Sequence, residues 1–137
     1  AFGEEVVVDN TDQALAKACA ETGAQVTDYT AAPAFSTDGQ GYHEWLVEFS
    51  IPPASQEPFE KELNAQLQKL NTYYDDLIKG HILADLKVRS LPQGTFRHYM
   101  KSQGKLGGQN KVPRLSNDRK LAEGLIESAD ALNTNKN

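Results

Sequence analysis

The feature that most constrains this fold is a change of hydrophobic period in mid-chain. In residues 42–49, YHEWLVEF, Trp45, Val47 and Phe49 fall on one side and Glu44 and Glu48 on the other, the period-2 pattern of a strand. Shortly afterwards Phe59, Leu63, Leu67, Leu70, Tyr74 and Leu77 form one apolar stripe at the 3.6-residue period of a helix. The switch is sharply punctuated. Ile51-Pro52-Pro53 ends the strand, Ser55 stands where a helix cap is needed, and Glu57 and Pro58 occupy the first turn, where a carboxylate and a missing N–H are both tolerated. Gly80 stops the helix.

The remaining elements follow from the same signals. Residues 5–8 are a β-branched run that predicts a strand. Asp9-Asn10-Thr11 offers helix caps, Ala14, Leu15, Ala18 and Cys19 follow at helical spacing, and Gly23 ends that helix. Residues 26–35 alternate loosely and meet residues 42–49 across Asp38-Gly39, a turn signal, so the two runs predict a hairpin. Residues 83–91 predict a further strand with Leu86 and Val88 inward. Phe96, Tyr99 and Met100 predict a short helix after Gly94-Thr95, and Ser116 is expected to cap a last helix with stripe Leu121, Leu125 and Leu132. The order through residue 91 is β-α-β-β-α-β. The expectation is therefore an α+β, ferredoxin-like fold with an antiparallel sheet, two helices on one face, and additional C-terminal helices. At 137 residues the chain is one domain, 1–137.

Composition excludes several function classes. A net charge of −5 argues against nucleic acid or an anionic membrane as partner, because both demand a positive surface. The lone Cys19 cannot form an internal disulfide and suits a reducing cytoplasm, where a small buried hydrophobe is its expected role. No apolar run approaches the ~20 residues of a membrane span, and no signal peptide is visible. His43, His81 and His98 lack metal-ligand spacing; each is expected at the surface or half-buried. Glu44 and Glu48 are expected to face solvent.

Residues 101–114 depart from this background. They carry Lys101, Lys105, Lys111 and Arg114 with no acid, and Gly104, Gly107 and Gly108 make them a loop. Glycine lets backbone approach a polyanion and lysine supplies a point charge for phosphate. Pro113 restricts Val112 and stiffens the chain after Lys111. Spacing alone favours an ordinary solvated loop over a phosphate site.

Residues 93–114, QGTFRHYMKSQGKLGGQNKVPR, resemble the C-terminal segment of the auxin-responsive acyl-acid amido synthetases, members of the adenylate-forming superfamily. Gly94, Thr95 and Phe96 match the GTF element of that family, and Gln109, Lys111, Val112, Pro113 and Arg114 match its Q-x-K-V-P-R element. Upstream, GYHEWLVEF (residues 41–49) and LNTYY (residues 70–74) resemble the family strand and its L-N-x-x-Y helix motif. The resemblance departs at Asn110, where plant members usually have Tyr, and at Ile78-Lys79, where they carry Arg. It thus points to a bacterial member.

The resemblance implies a function. The chain would be the small C-terminal lid of a cytoplasmic enzyme whose large N-terminal catalytic domain lies outside it and serves as its partner. Such an enzyme uses ATP with Mg2+, held mainly by that N-terminal domain, to adenylate a small-molecule carboxylic acid and then transfers the acyl group to an amine or amino acid. Lys111 corresponds to the catalytic lysine. Gln109, Asn110 and Arg114 are implied nucleotide contacts, Arg114 alternatively anchoring the loop on a carboxylate. By itself the chain is expected to be inactive. The competing readings are a ferredoxin-like small-ligand or regulatory module and a purely structural interaction domain.

Overall fold

The run around Trp45 becomes β2 (Gly41–Ile51), the middle strand of a three-stranded sheet, in the computed structural model, which describes residues 7–105 and 111–134. On one side it pairs antiparallel with β1 (Gln25–Phe35) and on the other parallel with β3 (Lys87–Leu91). Helix α1 (Val8–Thr22) precedes β1. Helices α2 (Gln56–Leu70) and α3 (Thr72–Lys79) cross over from β2 to β3, and α4 (Thr95–Ser102) and α5 (Lys120–Thr134) follow. No helix among the described residues is long and apolar enough to cross a membrane.

Both faces of the sheet are covered. Trp45, Val47 and Phe49 turn to one side and pack with Leu15, Phe59, Leu63 and Leu67 of α1 and α2. Leu46 and Ala32 turn to the other and pack with Phe96, Ala122 and Leu125 of α4 and α5. Helices α4 and α5 approach closely, and a methyl placed on Gly124 would overlap the Tyr99 ring. The resulting three-layer α+β arrangement agrees with the expected class.

The sheet differs in detail from a four-stranded antiparallel one. Val7 is extended but Val8 opens α1, and residues 5 and 6 lie outside the described residues. A strand–helix–strand crossover delivers a parallel strand. In the expected pattern a strand from residues 5–8 would stand between the two crossover strands and make the sheet antiparallel. Among the described residues none does, so β3 pairs directly with β2, from Glu44 opposite Lys87 to Glu48 opposite Leu91. Upstream of β3, Leu83 makes only an isolated bridge to Gly41.

The expected long helix is two. Asn71 is extended, at φ −138° and ψ 106°, and its side chain accepts the Tyr74 N–H at 2.8 Å. Asparagine competes with helical backbone in this way, so α2 ends and α3 restarts within one residue. Ser55 has the backbone of a cap without a side-chain bond. Gly23 ends α1 as expected, with φ 78° and its N–H on the Cys19 carbonyl. Cys19 is half-buried, and loss of solvation raises its thiol pKa. The last helix starts later than expected: Asp118 Oδ1 accepts the Lys120 N–H at 2.9 Å, while Ser116 belongs to an extended segment. His43 is buried against Tyr74 at a ring separation of 5.4 Å, not at the surface.

Glu44 and Glu48 also depart from expectation. Both are buried, at 7% and 4% exposure, because α4 and α5 cover the face that a two-layer sheet would leave wet. Glu48 Oε2 accepts the Gly94 N–H at 3.0 Å and Oε1 accepts the Phe96 N–H at 2.9 Å. A carboxylate therefore satisfies the free N–H groups at the start of α4. Gly94 stands there at φ 92°, which a residue with Cβ adopts only with strain. Glu44 is held by Arg89 of β3 at 3.1 Å and by Arg119, next to α5, at 2.9 Å.

Tyr29 and Tyr74 anchor the opposite layer. Tyr29 stacks on Trp45 at 5.2 Å and bonds Thr11 and Asp12 of α1 through its hydroxyl. Tyr74 donates to buried Asn64 at 2.6 Å. Desolvation raises both phenol pKa values well above the ordinary 10.0, aided by Asp12 for Tyr29 and by the charge of Asp85 for Tyr74.

Two outcomes follow from these buried groups. Glu48→Gln replaces one acceptor of an N–H by a donor, leaving a buried donor unsatisfied at a cost of about 1–3 kcal/mol, or a Tm on the order of 5–10 °C lower; an unchanged melting curve by calorimetry would contradict the role given to Glu48. The raised phenol pKa values stabilise the fold fully below pH ~10, and this contribution is lost as pH rises further, because the unfolded chain releases protons that the folded one retains. In a spectrophotometric titration, ionisation of Tyr29 and Tyr74 should coincide with alkaline unfolding monitored by circular dichroism. Complete ionisation of all five tyrosines in a folded protein would refute this.

Candidate functional site

The K-V-P-R segment docks on the open edge of β1. The Ala31 N–H donates to the Arg114 carbonyl and the Ser116 N–H to the Ala31 carbonyl, each at 2.9 Å, forming a parallel bridge between Ala31 and Leu115. The Thr30 hydroxyl donates to the Pro113 carbonyl at 2.7 Å. Pro113 has no N–H to offer a ladder, so an edge position suits it. Val112 packs toward α4 and α5 and Leu115 toward α1 and α2, as alternation along an extended segment requires.

Arg114 fixes this segment from the side. Its guanidinium pairs with the Asp28 carboxylate, donates to the Tyr29 carbonyl at 2.8 Å and lies 4.6 Å from the Tyr29 ring centroid, a cation–π contact. An irregularity in β1 places Asp28 there. Val26 pairs with Phe49 and Asp28 with Glu48, so Thr27 is an extra residue of a bulge, a device that re-aims side chains.

Lys111 stands just before this docked stretch and is exposed. It borders two depressions. One is lined by Asp12, Thr27, Asp28, Met100, Val112 and Arg114, the other by residues that include Tyr99, Lys105, Ser116, Asp118 and Lys120. The structure thus brings Lys111 and Arg114 to one rim, with Lys105 nearby; Gln109 and Asn110 lie outside the described residues. Among the described residues, no group of three or more His, Cys, Asp or Glu could hold a metal ion.

Sequence reasoning missed Asp28, Thr30 and Glu48. Asp28 lies 86 residues from Arg114, so no local pattern joins them; only the anchoring alternative implied for Arg114 pointed to a carboxylate, without saying which. The GTF and LNTYY elements also gain physical reasons. Gly94 and Phe96 present N–H groups to Glu48, Thr95 Oγ1 donates to the Pro92 carbonyl at 2.6 Å, and Asn71 caps α3.

The sequence matches the GH3 family C-terminal domain over residues 9–120. Among solved structures the fold is similar to a GH3.15 acyl acid amido synthetase, at 16% identity and a TM-score of 0.67, covering 90% of this chain and 24% of that one. It is equally similar to AtGH3.15 acyl acid amido synthetase in complex with 2,4-DB, at 16% identity and a TM-score of 0.69, covering 88% and 23%. At that identity the likeness shows the fold, and the chain spans about a quarter of the length of these synthetases. No curated protein matches it. With a sheet edge, a docked K-V-P-R segment and a match over residues 9–120, the chain belongs to the GH3 family and represents its C-terminal domain.

Proposed function

We propose that this chain is the lid of an acyl-acid amido synthetase and that Lys111 is the cation it delivers to ATP. The observation that carries the reading is the placement of Lys111: an exposed ammonium on a rim between two depressions, next to a segment held on the sheet edge. Membership of the GH3 family and the likeness to acyl acid amido synthetases support it.

In the first half-reaction a carboxylate oxygen of the acid attacks the α-phosphorus of ATP, and the bond to pyrophosphate breaks. Negative charge grows on the α-phosphate and the leaving group. A lysine ammonium held there stabilises the transition state more than the ground state. In the second, an amine or amino-acid nitrogen attacks the acyl carbon, AMP departs with the bonding electrons, and the nitrogen loses its proton. Lys111 has no task in that step, so rotation of the lid can withdraw it. Gln109 and Asn110 contribute polar contacts to the nucleotide. Arg114, occupied by Asp28 and Tyr29, anchors the segment. Mg2+ travels with ATP, and the reading assigns this chain no metal ligand. The N-terminal domain is the partner, and the enzyme works in the cytoplasm.

Removing one such transition-state contact costs about 3 kcal/mol, or ~100-fold in rate. Lys111→Ala in the intact enzyme should therefore reduce acid-dependent ATP–pyrophosphate exchange by about that factor, and near-normal exchange would refute the assignment. This chain by itself should neither hydrolyse ATP nor bind it tightly; micromolar binding by calorimetry would contradict the lid reading.

A further inference from the structure

The outer edge of β1 holds the segment that carries Lys111, and the attachment is slight. Its backbone part is one parallel bridge of two hydrogen bonds. A ladder that short does not fix a chain by itself, since ordering each residue costs about 1–2 kcal/mol and each hydrogen bond returns about 1 kcal/mol net. The side chains complete it. Thr30 donates to the Pro113 carbonyl, and Asp28 accepts from the Arg114 guanidinium, whose other contacts are the Tyr29 carbonyl and ring. The ring itself cannot drift, because Thr11 and Asp12 hold its hydroxyl and Trp45 stacks on it.

Lys111 lies two residues before Pro113, so its Cα stays within about 7 Å of the docked backbone. Pro113 further restricts Val112 toward extended conformations. Where the Lys111 ammonium can reach is therefore set by whether residues 113–116 sit on β1.

We propose that Asp28 and Thr30 are positioning residues for Lys111. They hold residues 113–116 on the sheet edge, and neither touches the substrate. This rests on the reading of Lys111 as the catalytic cation. A misplacement of about 1 Å in a catalytic group can cost up to about 100-fold. The loss falls on kcat with the KM for acid unchanged, because on this reading the acid is held by the N-terminal domain.

The experiment is a mutant cycle in the intact enzyme, read by ATP–pyrophosphate exchange, with amide hydrogen exchange of the Ala31 and Ser116 N–H groups measured on this chain. Asp28→Asn should lower kcat about 10-fold or more with the KM for acid unchanged, while Asp28→Glu keeps kcat within a few-fold. The Ala31 and Ser116 amides should lose protection while those of the β2–β3 ladder keep theirs. Adding Asp28→Asn to Lys111→Ala should cause no further loss, because a group that acts through Lys111 has nothing left to position. A further loss in that double variant, or unchanged protection at Ser116, overturns the proposal. So does an unchanged kcat in Asp28→Asn while Lys111→Ala is impaired, and then the reading of Lys111 survives. Normal exchange in Lys111→Ala instead removes that reading first. Should Asp28→Asn fail to fold, Thr30→Val decides, since it keeps shape and deletes only the bond to Pro113. It must reduce both kcat and Ser116 protection, and leaving either intact overturns the proposal.

Discussion

The buried carboxylate of Glu48 is the contact on which the second half of the domain depends. It sits on the central strand and accepts two N–H groups where α4 begins, from Gly94 just before it and Phe96 in its first turn. An unpaired buried carboxylate would cost several kcal/mol, so Glu48 is tolerable only with α4 in place. Conversely, α4 has no side-chain cap of its own and starts where Glu48 directs it. Glu44, two pleats away, plays a related part for α5 through Arg119 and ties the same strand to β3 through Arg89. Polar groups on one face of β2 thus set where the outer helices begin, and Leu46 between them supplies the apolar contact with Phe96 and Leu125.

This arrangement determines where the K-V-P-R segment can go. Between α4 and α5, residues 113–116 lie along β1, an edge strand of the sheet. Exposed edges invite pairing, and the segment takes up that invitation with its own backbone. Lys111, just before the docked residues, thereby ends beside a rigid sheet. Functional groups on loops need such scaffolds to be placed with useful accuracy. The Thr27 bulge and the Tyr29–Trp45 stack carry the rigidity of the core to the point where Arg114 docks.

Much of the secondary structure was legible because it rests on local rules. Gly23, the Asp38-Gly39 turn and the GTF helix start act within a few residues, and all fall where the sequence placed them. The differences have separate physical causes. Treating Glu44 and Glu48 as solvated assumed a sheet covered on one face, and acidity marks solvent only where nothing packs above. Joining α2 and α3 overlooked that one asparagine side chain can outbid a helical bond for the Tyr74 N–H. The strand expected over residues 5–8 weighed β-propensity, which depends on finding a neighbour to pair with; within the described part of that run, Val8 opens α1 instead.

The sequence by itself determined the α+β class, the hairpin, the basic character of residues 101–114 and the resemblance that singled out Lys111. These depend on period, turn chemistry and residue type, which neighbouring positions reveal. Only the tertiary structure decided that β3 runs parallel to β2, that two glutamates are buried, and that Asp28 and Thr30 hold the segment after Lys111. Each of those is a pairing across a long stretch of chain. Its energy exists only when both partners are brought together, so neither partner announces it in the sequence.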